Sequence, residues 1–230
     1  MRLRNVLSTT AVVTLATAIV VAGCSMYGTS GAPAPTSQGG HAALPFDVPT
    51  PTPTPIQLVT GGMTGVLTWP KGDTASGAQG QQVAGLNCLA QLDEPFHHHV
   101  QLSIFVNGQQ LAVPFGVGMY QPGGGKSGYI YHTTCLYFIH THDRTGVIHI
   151  ESKIDQAYTL GTFFKLWGEP LTSTQIAQFT GPVSVYINGT LDTTDPIASV
   201  PLTPGSDITL VIGPTPSWIP VYLLPVGLNP

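Results

Sequence analysis

Charge is scarce in this chain. Only 8% of its 230 residues are charged, and seven Lys and Arg stand against eleven Asp and Glu, for a formal net charge of −4. Nucleic-acid-binding proteins need a basic surface to neutralise phosphates, which this composition does not provide. The composition therefore argues against nucleic acid as a partner. A surface so poor in charge must take its polarity from Thr, Gln, Ser and Gly.

A long apolar run is also missing. Val6–Val21 is mostly apolar, but it is short for a transmembrane helix of about 20 residues. Arg2 and Arg4 precede the run and small residues follow it, which is the pattern of a secretion signal. A plain transmembrane anchor is the alternative interpretation.

The end of this segment, Val21-Ala22-Gly23-Cys24, resembles the lipobox of bacterial lipoproteins. The resemblance implies that residues 1–23 are a signal peptide and that Cys24 carries a lipid. The expected location is the cell envelope, facing outside the cytoplasm. The membrane is then a partner through Cys24, and an envelope protein is a candidate partner. Residues 24–55, rich in Pro, Thr, Gly and Ser, are predicted to be a tether, and residues 56–230 a folded domain.

Cysteine is rare. Once Cys24 is assigned to lipidation, only Cys88 and Cys135 remain. An exported chain meets an oxidising compartment, so this even pair predicts a disulfide. The two cysteines are 47 positions apart. In the chain-entropy model, closing such a loop stabilises the fold by about 4 kcal/mol.

Apolar residues alternate with polar ones along several short segments, and Gly, Pro and Asn separate these segments. Asn107-Gly108 and Asn188-Gly189 each divide two strand-like runs, which predicts two β-hairpins. Further strands are expected at 61–69, 82–91, 129–133 and 208–212. The predicted fold class is all-β, as an antiparallel β-sandwich or a small barrel.

One or two short helices are expected on this framework. Leu160, Phe163, Phe164 and Trp167 recur at helical spacing and are followed by Gly168. A second helix is predicted within 172–181, where Thr172 and Gln175 resemble a capping box.

A nucleotide-binding motif is incomplete. Pro122–Ser127 looks like the second half of a P-loop, but Tyr120 occupies the place of its first glycine. No helical pattern follows Ser127. Nucleotide is therefore not expected as a ligand.

Histidine, in contrast to the charged residues, is concentrated in one part of the chain. Seven of the eight histidines lie between positions 97 and 149. The segment Cys135–Ser152 is predicted to be a hairpin that turns about residues 144 and 145, so that His140 lies directly opposite His149. Side chains two positions apart share a strand face, which adds His142 to the same patch. Three convergent imidazoles predict a metal site, with Zn or Cu as the expected ion.

Further residues are candidates for the same site. His97 or His99 is a candidate fourth ligand. Glu151 and Asp143 are expected to be ligands or to orient the histidines from a second layer. His140 as an ordinary hydrogen-bonded core histidine is the alternative. A cupin motif has its Glu only three or four residues after His-x-His, and a blue-copper loop needs a Met after its ligands. Neither pattern is present.

The segments 97–108, 135–151 and 158–168 resemble a group of exported bacterial proteins of unassigned activity. The shared elements are the His-Thr-His-Asp…His-x-Glu hairpin and the Thr-Leu-Gly-x-Phe-Phe…Trp-Gly segment. The resemblance implies a common fold and site but brings no reaction with it. The expected function is transition-metal handling or sensing by a lipid-anchored protein. The alternatives are a metal-dependent enzyme and a structural or partner-binding lipoprotein with no metal.

Overall fold

The computed structural model describes residues 54–92, 94–228 and 230. The predicted signal peptide, Cys24 and nearly all of the predicted tether lie outside these residues. One α-helix, α1 (Leu160–Trp167), and a short 3-10 helix (Ile197–Ser199) accompany the strands. The strands are, in chain order, β1 Ile56–Gln57, β2 Phe96–Val106, β3 Gln109–Leu111, β4 Met119–Tyr120, β5 Gly123–Lys126, β6 Tyr129–His132, β7 Cys135–Leu136, β8 Ile139–His140, β9 Val147–Ser152, β10 Leu171–Thr172, β11 Gln175–Ile176, β12 Phe179–Thr180, β13 Val183–Ile187, β14 Thr190–Asp192, β15 Asp207–Ile212 and β16 Tyr222–Leu223.

The predicted all-β class is confirmed. The largest sheet has the order β14-β13-β15-β2-β9-β8, with β3 also paired to β2. Its pairs are antiparallel except one, since β15 runs parallel to β2. Among the described residues the strands form several sheets and no closed barrel. The remaining described strands form four smaller sheets of two or three strands each, and not a second large sheet.

Strand alternation places the core on one face of the main sheet. Val100, Leu102 and Ile104 of β2 are fully buried, and so are Ile148 and Ile150 of β9. Burying a side chain of this size stabilises the fold by roughly 1.5–3 kcal/mol. These β-branched and leucine side chains explain why the two segments pair as strands.

The other face of the same strands carries polar side chains that are nevertheless buried. His99, Gln101 and Ser103 are each at most 2% exposed. Val147 of β9 packs on this face in a small second cluster with Leu58 and Tyr222, next to the β1–β16 pair. Both faces of the sheet are therefore covered, and polar groups on the second face must find partners within the protein.

The two predicted hairpins are confirmed. Asn107 and Gly108 have φ values of 51° and 80°, and Asn188 and Gly189 have 51° and 77°. Two successive residues with positive φ are what the two-residue turn of a twisted hairpin requires, and Asn-Gly meets that requirement with least strain. β2 pairs with β3 and β13 with β14 across these turns.

Helix α1 is also confirmed. The side chain of Thr159 accepts a hydrogen bond from the Thr162 backbone N–H, and Gly168 ends the helix in the left-handed conformation at φ 79°. Phe163 and Trp167 are fully buried in the main core.

The predicted second helix is wrong. Residues 171–180 form the short antiparallel strands β10, β11 and β12, which pair Leu171 with Ile176 and Ile176 with Phe179. Ala177 has a φ of 49°, which is incompatible with a right-handed helix. Ile176 and Phe179 are three residues apart, a spacing that satisfies both a helical stripe and two strands joined by a tight turn.

The strands expected at 61–69 and 82–91 are wrong too. These segments contribute only isolated bridges, such as Val66 with Leu111 and Leu89 with Leu136. Their glycines fit tight turns and close backbone contacts rather than regular pairing.

The helices of the described residues are too short to span a bilayer, and none of them forms the long apolar segment that a membrane span requires.

Candidate metal centre

Three histidines form a row across adjacent strands. His99 on β2 pairs with His149 on β9, and His149 pairs with His140 on β8. The predicted pairing of His140 with His149 is therefore confirmed. The predicted first strand of this hairpin is shorter than expected, because Cys135–Leu136 belongs to β7 and pairs with β4 instead.

A second row lies beside the first. His97 on β2 pairs with Glu151 on β9, and its Nε2 is 3.3 Å from Glu151 Oε1. His142 follows β8, and its Nε2 is 3.0 Å from Nε2 of His140. The strand period of two thus brings five histidines and one carboxylate onto one patch.

The six side chains divide into two sets of potential ligands that share His149. The inner group is His140, His142, His149 and Glu151, and the outer group is His97, His99 and His149. Within each group, one ligand atom per residue lies within 4.8 Å of all the others. Four ligands at the Zn–N distance of 2.0–2.1 Å in a tetrahedron are about 3.3 Å apart. Both groups therefore have the size of a metal site.

The backbone fixes which nitrogen of two inner histidines is available. Nδ1 of His140 lies 2.9 Å from the Tyr137 carbonyl oxygen, and Nδ1 of His142 lies 2.6 Å from that of Ile130. A carbonyl can only accept, so both Nδ1 atoms carry the proton of the neutral ring. The two Nε2 atoms are left with lone pairs that face each other at 3.0 Å. Carbonyl oxygens that hold Nδ1–H in this way are typical outer partners of metal-ligating histidines.

Burial keeps the inner histidines uncharged. His140 is fully buried and His149 is 3% exposed. Burial, together with the neighbouring histidines, holds the pKa of both rings well below the ordinary 6.5. Burial also lowers the pKa of His142. Because a metal binds the neutral ring, protons should compete with it only at a lower pH than for an exposed histidine.

Glu151 lies in an environment that disfavours its charge. Burial raises its pKa, and the negative charge of Glu94 adds to the effect. Its Oε1 is 3.7 Å from Nε2 of His140. A cation among these groups would favour the carboxylate form.

Tyr129 is a member of the site that sequence reasoning missed. Its ring stacks on His142, with ring centres 4.5 Å apart and planes inclined by 10°. Burial raises the pKa of its hydroxyl, and so do the charges of Asp143 and Glu151. Two hydrogen bonds hold the β5–β6 hairpin against the site: the Ile130 N–H donates to the His142 carbonyl oxygen, and Nδ1 of His142 donates to the Ile130 carbonyl oxygen. The contact between Tyr129 and His142 joins two segments that are not adjacent strands of one sheet. Local sequence patterns therefore carry no signal for it.

Asp143 does not belong to either ligand group. Its Oδ2 accepts a hydrogen bond from the Gly61 N–H at 2.7 Å, and its Oδ1 accepts one from the Thr145 N–H at 3.0 Å. The carboxylate thus holds the turn between β8 and β9 rather than a histidine ring.

The remaining histidines lie apart from the two groups. His98 pairs with Ile150 and belongs to the opposite face of β2. His132 is exposed at the end of β6. His41 lies outside the described residues.

An open cavity of about 640 Å³ adjoins the inner group. His142 and Glu151 form part of its wall, together with Tyr131, His132 and Leu136. The inner group is therefore reachable from solvent on the side of His142 and Glu151.

No protein-family model, curated protein or solved structure matches this chain. A function for the chain therefore depends on the chemistry of the site.

Proposed function

We propose that this chain binds a transition metal ion through His140, His142, His149 and Glu151, as a metal-handling or metal-sensing protein. The observation that carries the proposal is the pair of Nε2 lone pairs on His140 and His142. They face each other at 3.0 Å while both Nδ1 protons are held by carbonyl oxygens. Two acceptors at this distance repel each other, and a cation between them turns the repulsion into two bonds.

The ligand types narrow the choice of ion. Three imidazoles and a carboxylate suit Zn and Cu, and this set is also compatible with Fe or Mn. We propose Zn or Cu, since imidazole nitrogen dominates the inner group. Because the ion would meet solvent through the cavity at His142 and Glu151, it can be loaded and released without unfolding the sheet.

We further propose that the chain is exported and anchored through lipidated Cys24. The disulfide between Cys88 and Cys135, with Cα atoms 5.4 Å apart, supports an oxidising compartment. Cys24→Ser should release the protein from membranes or block its processing. Unchanged membrane fractionation and unchanged mass of the variant would contradict the anchor.

Metal analysis tests the central claim. The full chain, purified without a histidine tag, is incubated with Zn²⁺ or Cu²⁺, dialysed and analysed for bound metal. The wild type should retain metal, and the double variant His140→Ala, His142→Ala should lose the ion of the inner group. His132→Ala is the matched control, because this exposed histidine lies beside the site but in neither ligand group. A wild type that holds no metal, or a double variant that holds as much as the wild type, would contradict the proposal.

The cavity favours a metal-dependent enzyme as the second candidate function. Its volume of about 640 Å³ lies within the roughly 300–1,000 Å³ of small-molecule sites, and two potential ligands face it. A Zn ion held there would supply a bound water of lowered pKa, the usual basis of hydrolysis by zinc enzymes. Turnover of nitrophenyl acetate or nitrophenyl phosphate by the zinc-loaded protein, lost in the His140→Ala, His142→Ala variant, would support the enzyme. A loaded protein without turnover of either ester would favour metal handling.

A further inference from the structure

We infer that the outer group holds a second metal ion, so that His149 is shared between two ions. This inference rests on the proposed function, because the inner group must bind the first ion. His97, His99 and His149 would hold the second ion, on the side of the patch formed by β2.

The distances within the outer group support a site of its own. Nδ1 of His149 lies 3.1 Å from Nε2 of His99 and 3.4 Å from Nε2 of His97. Both values are close to the separation of about 3.3 Å expected between two nitrogens on one tetrahedral zinc ion. Three imidazole nitrogens are also the protein ligand set of many zinc sites that keep an open position.

The sheet register fixes this arrangement. His99 is directly opposite His149, and His97 is opposite Glu151, because β2 and β9 are adjacent and antiparallel. Side chains on one strand face recur every second residue, so His97 and His99 lie side by side with ring centres 4.7 Å apart. A pair of regular strands, not a loop, therefore positions the outer group.

The two nitrogens of His149 allow the sharing. Nδ1 is directed at the two histidines of β2, which leaves Nε2 for the ion of the inner group. When both ions bind, His149 gives its remaining ring proton to solvent and becomes an imidazolate bound at each nitrogen. Two ions bridged in this way are about 6 Å apart, given metal–nitrogen distances of 2.0–2.1 Å. The negative charges of the imidazolate and of Glu151 offset part of the ionic repulsion.

The two sites differ in their access to solvent. The side chain of His97 is 45% exposed, whereas that of His140 is fully buried. We therefore expect the outer ion to exchange faster with chelators than the inner ion. Glu151 Oε1 lies 3.3 Å from His97 Nε2 and 3.7 Å from His140 Nε2, so its carboxylate links the two sites.

Zinc stoichiometry of the full chain tests the inference. The wild type should retain about two Zn²⁺ per chain, and His97→Ala, His99→Ala should retain about one. His98→Ala is the matched control, since it removes the middle residue of the same triplet from the opposite strand face and should leave both ions in place. The single variant His97→Gln changes an exposed side chain and serves where the double variant fails to fold. It should lower the affinity for the outer ion by at least roughly 10–100-fold, the loss that follows when a residue that only supports a ligand is removed.

The outcomes separate this inference from the proposed function. One zinc ion in the wild type, retained in His97→Ala, His99→Ala and lost in His140→Ala, His142→Ala, would overturn the second site and leave the proposed function intact. A wild type that binds neither Zn²⁺ nor Cu²⁺ would overturn both. Two ions that are both lost in His98→Ala would show unspecific binding by the triplet and overturn the second site.

Copper tests the sharing itself. Two Cu²⁺ ions bridged by one imidazolate are magnetically coupled, so the electron paramagnetic resonance signal per copper should fall when the second ion binds. His97→Ala, His99→Ala should restore the full signal of a single Cu²⁺. Two bound Cu²⁺ ions with the full signal of isolated centres would overturn a shared His149.

Discussion

Tyr129 illustrates how a residue outside both groups of potential ligands can fix the orientation of one of them. Its ring covers one face of His142. The same imidazole also donates a hydrogen bond to the Ile130 carbonyl oxygen and contacts the rings of His140 and His149. Tyr129→Ala should therefore free the His142 ring and weaken metal binding by about 10–100-fold. Tyr129→Phe keeps the stacked ring and should bind nearly as well as the wild type. Competition with a chelator of known affinity measures both.

Tyr131→Ala is the matched control for this experiment. Tyr131 is 57% exposed, and it lines the cavity without stacking on His142. Equal losses of affinity in Tyr129→Ala and Tyr131→Ala would contradict a specific role of the stacked ring.

Asp207 is a buried carboxylate away from the histidines. Its environment predicts that ionisation of this side chain lowers the free energy of unfolding. Burial raises its pKa from 3.8 to about 6, although the Tyr222 N–H donates a hydrogen bond to Oδ2 at 2.6 Å. Within the described part of the chain, its Oδ1 has no hydrogen-bond partner, and the same is true of Oε1 of Gln101, its neighbour in the sheet. The ionised side chain is therefore poorly compensated at neutral pH.

Asp207→Asn should stabilise the fold at pH 7 by roughly 1–3 kcal/mol. The folded-state pKa is raised, so the stability due to the protonated carboxyl is fully present below about pH 4 and is lost as pH rises through about 6. The gain of the variant over the wild type should therefore grow between pH 4 and 6 and then level off. Urea denaturation across this range measures it. A gain that is the same at pH 4 and pH 7 would contradict the raised pKa.

Among the strands and turns, the connection from β8 to β9 decides whether the site forms. Gly146 has a φ of 85°, and a Cβ atom there would lie 2.1 Å from the Leu102 carbonyl oxygen. Gly108, in the β2–β3 turn, has a similar φ of 80°, but a Cβ atom there would meet nothing within 4 Å. The two glycines share the same backbone strain and differ in the clash.

Gly146→Ala should therefore destabilise the protein by more than Gly108→Ala. Gly108→Ala should lower the free energy of unfolding by about 1–2 kcal/mol, from its positive φ alone. Gly146→Ala should lower it by more than that. It should also reduce bound metal, because it displaces the turn that sets His142 against His140. Thermal unfolding and metal content of both variants measure the difference. Equal losses would indicate that the turn can move without disturbing the site.

The elements that the sequence predicts well are those with strong local rules. Asn107-Gly108 and Asn188-Gly189 predict their turns, because Asn and Gly tolerate positive φ. Thr159 and Gly168 mark the two ends of α1. The pairing of His140 with His149 follows from counting residues outward from the turn. In each case neighbouring residues set the geometry.

The sequence-based predictions fail where residues far apart in the chain determine the local structure. Ile176 and Phe179 fit a helix equally well by local pattern, and only packing in the main core selects strands. The direction of β15 beside β2 depends on how the intervening hundred or so residues are folded, and no local rule fixes it. The division of the histidines into two groups depends on β2 and β9 being adjacent, which two separate segments do not reveal by themselves.

For the folded chain as a whole, the disulfide is the main covalent constraint. Cys88 and Cys135 join the segment before β2 to β7, next to the backbone hydrogen bonds between Leu89 and Leu136. The double variant Cys88→Ser, Cys135→Ser should lose about 4 kcal/mol of unfolding free energy, because the unfolded chain is no longer held in a 47-residue loop.

Urea denaturation of the oxidised wild type, the reduced wild type and the double variant measures this constraint. The reduced wild type should match the variant, which separates loss of the bond from the effect of the serine side chains. A loss below about 1 kcal/mol in both would show that the unfolded chain is already compact in this region.

The position of β2 in the main sheet also bears on the order in which the molecule forms. The first half of this strand pairs with β9, about 50 residues further along the chain, and the second half pairs with β15, about 100 residues further. Contacts this distant close late, so folding should be slow compared with that of a helical domain of equal size. Until β15 arrives, the apolar half of β2 exposes an unpaired edge of the kind that other chains can join. If the chain is exported as proposed, a translocation channel would release β2 long before β15. During that interval the second half of β2 would be open to pairing with other chains, and a chaperone that covers this edge should raise the yield of folded protein.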